Sequence, residues 1–308
     1  MGIRPQDLPE LRNEALVSQD AGGYTLKQWL WVAEQSGRPA SDARNVWRAE
    51  IERLASAPLL YVSPEMTALA VAAARSLPSF VVNPEDLPTD SGLIVFGSPI
   101  DGGVYAERTP GHRGEPLSTR ALLWSRESGS FDGIWVTGYI DRDALLADAL
   151  ANGGPVAAIR REPWLSLVPD ANFGLQFGEK GWHIANTTGL PQVLGDLFPV
   201  LMSTWLLMKQ PLAHTSEVEI DRAARKRLRR AGREPAHVRV IELRRPKATS
   251  GHGTSDRTYH HQWITRGHWR QQWHPKRQVH RPVWIAPHIK GPEGAPLIGG
   301  EKVYALKR

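Results

Sequence analysis

The chain has 308 residues, no cysteine and a formal net charge of +6, with 41% hydrophobic and 23% charged residues. This composition suits one large or two ordinary folded units, and it excludes a disulfide framework, a thiolate metal centre and a thiol nucleophile. The charge is divided unevenly, with residues 221–308 carrying 21 Lys/Arg against 6 Asp/Glu while residues 1–220 carry 17 against 26. A basic segment on an acidic body points to an anionic partner, nucleic acid first, or to docking of the basic part on the body itself.

The first twenty residues include Asp7, Glu10, Glu14 and Asp20 and have no apolar stretch behind a basic start, so no signal peptide is expected. Residues 25–36 and 41–56 read as helices, the second with Val46, Trp47, Ile51 and Leu54 at three- to four-residue spacing and Ser41 as its cap. Residues 59–62 are a strand candidate. Ser63-Pro64-Glu65 then opens a helix, because Ser accepts from exposed N–H groups, Pro needs no donor there and Glu suits the positive end of the dipole.

From Leu93 to Ile140 the period shortens. Residues 93–96, 119–125 and 133–140 read as strands of an antiparallel sheet, separated by turn-forming residues. Residues 97–103 (GSPIDGG) match neither phosphate-binding glycine fingerprint and read as a turn. Residues 141–150 read as a helix with Leu145, Leu146 and Leu150 inward, Asp141 and Asp143 as capping charges, and a stop at Asn152-Gly153-Gly154. Residues 164–168 are another strand candidate. Residues 190–210 read as a long apolar helix bent at Pro199, whose most apolar stretch, 193–208, is too short for a bilayer and contains Asp196.

Residues 221–232 (DRAARKRLRRAG) read as a helix with a thin stripe of Ala223, Ala224, Leu228 and Ala231 and cations elsewhere, ended by Gly232. Residues 237–243 alternate as a strand and residues 247–256 read as a polar loop, with β character returning at 259–273, 281–287 and 302–306. The expected class is α+β: N-terminal helices, a central antiparallel sheet with a long buried helix, and a small basic C-terminal β-rich module. The expected division is an acidic body, 1–220, and a basic part, 221–308.

Residues 259–292 hold His260, His261, His268, His274, His280 and His288 together with Trp263, Trp269, Trp273 and Trp284. With a bend at Gly267, alternation puts His268, Arg270, Gln272 and His274 on one side and Trp269, Gln271 and Trp273 on the other. Guanidinium groups neutralise phosphate and flat rings stack on unpaired bases, which suits RNA or single-stranded DNA. Trp263 and Trp284 are expected as core anchors instead. The expected nucleic-acid contacts are Arg225, Arg229, Arg230, His268, Trp269, Arg270, Trp273 and Arg281. A ribonuclease would draw its acid, base and phosphate ligand from His268, Arg270, His274 and Arg281. A metal site of His260 or His261 with His268 and His274 lacks compact zinc spacing, and neither metal nor cofactor is expected.

The stretches GHWRQQWHP (267–275) and HRPVWIAPHIKGP (280–292), with His268-Trp269-Arg270, Trp273, Trp284-Ile285 and Pro287, resemble a tail found in proteins of bacterial phages and plasmids. That tail is similar to the C-terminal part of a type V anti-CRISPR family, whose members suppress production of the effector nuclease through its nascent chain. RQQWHP departs from the more aromatic continuation in that family, and residues 1–220 have no counterpart, so target specificity does not carry over. The resemblance implies a mobile-element regulator with a basic tail facing RNA, a ribosome or a nascent polypeptide and an N-terminal body that chooses the target. The expected lack of a signal peptide and the lack of cysteine suit the cytoplasm, and the short apolar run suits no membrane. The other readings are a ribonuclease or toxin-like enzyme and a non-catalytic protein-interaction module.

Overall fold

The computed structural model describes residues 3–20, 24–35, 37–78, 80, 82–100, 117–127, 132–161, 166–177, 183–185, 193–244, 263–276 and 278–290. The helices are α1 (Leu8–Asp20), α2 (Tyr24–Gln35), α3 (Ala40–Ser56), α4 (Pro64–Ala74), α5 (Arg142–Asn152), α6 (Val156–Arg161), α7 (Val193–Met208) and α8 (Arg222–Arg230). Eight strands, β1 (Leu59–Val62), β2 (Ser91–Ile100), β3 (Thr119–Glu127), β4 (Gly133–Asp141), β5 (Leu167–Gln176), β6 (His183–Ala185), β7 (Ala213–Val218) and β8 (Val238–Leu243), form one sheet in the order β6-β5-β4-β3-β2-β1-β8-β7.

The class is α+β, but the sheet is mixed and not the antiparallel one expected. The short strand β1 runs parallel to both β2 and β8, with Tyr61 opposite Val95 on one side and Val240 on the other. All four β1 residues are buried, as a central parallel strand requires. The sheet also crosses the expected boundary at residue 220, since β7 and β8 pair on either side of it.

Strand alternation splits the interior into two cores. Leu60, Val62, Ile94, Phe96, Leu122, Trp124 and Ile241 face α4 and α7, where Trp124 meets Trp205 edge to face at 5.2 Å. Leu59, Tyr61, Leu93, Val95, Ala121, Leu123 and Val240 face the opposite way, onto Leu8 and Leu16 of α1 and Leu54 of α3. The molecule is therefore helix, sheet, helix in three layers. The apolar run of α7 is explained by this position, and no helix among the described residues is long and apolar enough to cross a membrane.

Local signals explain several helix ends. Ser63 accepts from the Met66 backbone N–H at 3.2 Å, and Asp141 accepts from that of Asp143 at 3.0 Å. Ser41 is not a cap, because α3 already starts at Ala40 after the extended Pro39. Leu150 lies outside the apolar face expected of α5 and is exposed, while Leu145 and Ala149 are buried. Residues 97–100 of the expected turn instead continue β2 through a register shift.

Beyond the main sheet, β9 (Trp263–Thr265), β10 (His268–His274), β11 (Val279–Ile285) and β12 (His288–Lys290) form two antiparallel pairs. Thr265 opposite His288 and His268 opposite Ile285 belong to one register, so the four strands make a single ribbon interrupted at residues 266–267 and 286–287. Pro287 has no N–H to give, which accounts for the break.

Candidate nucleic-acid interface

Two cationic elements stand out, α8 and the ribbon. The Asp221 carboxylate accepts from the Ala224 backbone N–H at 2.7 Å, and this bond holds its pKa below the ordinary value. At the other end Gly232 takes φ 69°, with Gly232 N–H on the Arg229 carbonyl at 3.0 Å and Arg233 N–H on that of Leu228 at 2.9 Å. This is the left-handed stop for which glycine is selected.

Between these caps, Ala224 and Leu228 are buried with Ile220. Arg222, Lys226, Arg229 and Arg230 are exposed, and their spacing of four, three and one puts them on the opposite side of the helix. Two neighbours are drawn onto the protein's own acids. Arg225 bonds Glu219 at 2.6 Å and the Ile220 carbonyl at 3.0 Å, and Arg227 bonds Glu10 of α1 at 2.9 Å, which raises its pKa. Docking on the acidic body and an outward cationic face therefore coexist on one helix. Over it lies an open concavity of about 1070 Å³, lined by Arg222, Ala223, Arg225, Lys226, Arg229 and Arg230.

The ribbon stands on its β11 edge. The Gln210 amide, oriented to satisfy both groups, donates to the Trp284 carbonyl and accepts from the Trp284 N–H, each at 3.0 Å. Trp284 is buried and meets Trp269 at 5.2 Å, and the Trp269 indole N–H donates at 2.8 Å to the Ala73 carbonyl at the end of α4, which also accepts from the Ser76 N–H at 3.1 Å. Gly267 makes room for this packing, since a Cβ there would lie 2.3 Å from the Trp284 ring.

Arg281 corrects an expectation. Instead of meeting phosphate it is buried, with Nη1 2.7 Å from Asp86 and Nη2 3.1 Å from Glu85. Burial pushes the Asp86 carboxyl up, against the downward pull of the Asn83 backbone N–H and of Arg281. Trp269 is likewise committed to packing, which leaves Trp273 of the two expected stacking rings. Trp273 is 44% exposed and lies 4.9 Å from the His280 ring across the ladder.

The expected alternation holds along β10, where Arg270 donates to Gln272 at 2.7 Å on one side while Trp269 and Trp273 meet their cross-strand rings on the other. His268, Arg270, Trp273, Lys276 and His280 are exposed. From Arg257 to Pro292 the chain has no Asp or Glu, so the ribbon itself brings no acid to these cations. Lys276 and His280, together with Arg222 and Lys226 on α8, are exposed candidates that the sequence did not single out. The helical spacing of 222, 226, 229 and 230 was the available signal for the last two.

The ribonuclease constellation does not assemble. His268 and His274 lie at opposite ends of β10, about 20 Å apart at the strand rise, and Arg281 is already held by carboxylates. His260 and His261 lie outside the described residues, as does the side chain of Trp263. Among the described residues no three His, Asp or Glu side chains gather as a metal site.

The chain matches no protein-family profile, no curated protein and no solved structure. The chemistry of its own surfaces therefore carries the functional reading.

The two cationic elements do not converge on one face. Helix α8 docks on α1, and Val218 and Ala236 beside it pack on the core that α1 covers. The ribbon docks on α4 and α7, the layer on the other side of the sheet.

Proposed function

We propose that this is a regulatory nucleic-acid-binding protein, with RNA or single-stranded DNA as ligand and α8 as the principal phosphate contact. The observation that carries the reading is the stripe Arg222, Lys226, Arg229 and Arg230, exposed directly opposite the buried Ala224 and Leu228. Arg222 to Arg230 covers nine residues, a rise of about 12 Å from first to last, enough to follow several phosphates of one strand. Exposed guanidinium and ammonium groups in such a row gain affinity by releasing condensed counterions. Trp273 beside His280 adds a ring surface of the kind that unpaired bases stack on.

The resemblance of the ribbon to a mobile-element tail supports a regulatory setting. It extends the reading to RNA on a ribosome carrying a nascent chain. The enzyme reading draws no support from histidines separated along a strand.

The test is a titration of labelled single-stranded RNA and DNA at two salt concentrations. If all four cations meet phosphate, affinity falls about fiftyfold between 50 and 200 mM salt. Replacing all four by Gln should weaken binding and flatten that dependence. Binding no tighter than to polyglutamate, or a salt slope unchanged in the variant, overturns the proposal.

A further inference from the structure

We infer that the protein holds two nucleic-acid segments at once, a phosphate-lined backbone at α8 and an unpaired strand at the ribbon. This rests on the nucleic-acid reading above and deepens it. The first observation is position, because the sheet lies between the two elements: α8 is tied to α1 through Arg227 and Glu10, whereas the ribbon is tied to α4 through Trp269 and Ala73. The two elements therefore sit on different layers of the fold.

The second observation is chemistry. Helix α8 offers Arg222, Lys226, Arg229 and Arg230 and contains no aromatic residue. It reads charge and spacing, which a duplex backbone supplies as well as a single strand does. The ribbon offers the exposed Trp273 ring against His280, with Arg270 and Lys276 nearby in sequence and no acid of its own. A ring surface is useful only where a base is free to leave its stack. The two elements are thus separate in space and select different states of the ligand.

The third observation is rigidity. The ribbon is pinned by the Arg281–Asp86 contact at 2.7 Å and by the Gln210 bonds to Trp284, and α8 by its caps and its contact with α1. Both surfaces belong to the folded body, so a duplex at α8 and a strand at the ribbon would be held in a fixed relation.

The experiment is a bridging capture with full-length protein. Biotinylated oligouridine on streptavidin beads is incubated with protein and a fluorescent blunt RNA duplex at low salt. Co-capture of the duplex is expected. Trp273→Ala should weaken oligouridine binding about tenfold and leave duplex affinity within about twofold, whereas the Arg229→Gln/Arg230→Gln pair should weaken duplex binding about tenfold and oligouridine binding as well, since α8 also meets the backbone of a single strand. Binding of each ligand alone with mutual displacement and no co-capture means one shared footprint and overturns the inference while leaving the nucleic-acid reading intact. If neither ligand is bound above a polyglutamate control, the nucleic-acid reading itself has failed.

Discussion

Glu50 shows how far a single residue can depart from what its type suggests. It sits in α3 at the i+3 place of the stripe formed by Trp47, Ile51 and Leu54, and only its charge argued against an inward position. It is buried, accepting from Thr137 at 2.8 Å and from the Tyr139 hydroxyl, and burial pushes its carboxyl up to about 7. Because the folded-state pKa lies above the unfolded one, the protonated form stabilises the fold fully below about pH 4.5. That contribution is lost as pH rises through about 7, and it amounts to about 3 kcal/mol. Glu50→Gln should therefore stabilise the protein near pH 8 and flatten the decline between pH 5 and 7, as read by urea melts across that range. Gly267 offers a second residue-scale test. A methyl group there meets the Trp284 ring, so Gly267→Ala should cost about 1–3 kcal/mol through overpacking, and Gly267→Ser more.

At the scale of elements, α8 was legible because its signals are local: Asp221 before the helix, Gly232 after it, and a narrow apolar stripe between. Removing the cap by Asp221→Ala should loosen α8, because the Ala224 N–H loses its acceptor. Amide exchange should quicken within 222–230 and leave the main sheet unchanged. The ribbon was legible in period but not in orientation. Alternation told which residues share a side, yet it could not tell that β11 faces inward, since that depends on Gln210, Asp86 and Ala73, all distant in sequence. Arg281 is the clearest consequence, a cation indistinguishable from Arg270 by pattern and placed in the opposite environment. Arg281→Ala should cost about 3–5 kcal/mol by leaving Asp86 buried without its partner, whereas Arg281→Met combined with Asp86→Asn should recover much of that loss in thermal melts.

For the whole molecule, the α+β class followed from helical and strand periods, but the three-layer arrangement did not. It depends on β1 pairing in parallel with β8, across nearly the whole body, and four apolar residues give no hint of which strands flank them. The same pairing draws part of the basic segment into the main sheet and leaves the cations of α8 and of the ribbon on opposite sides. The strong charge asymmetry was visible in the sequence; its division into two surfaces required the fold. Most direct for the central claim is ultraviolet cross-linking of the full-length protein to bound single-stranded RNA, followed by identification of the linked peptides. Cross-links should fall in peptides covering 222–230 and 268–280, and those of 222–230 should vanish when Arg222, Lys226, Arg229 and Arg230 are replaced by Gln. Cross-links confined to the acidic body, or unchanged by that replacement, would contradict the account.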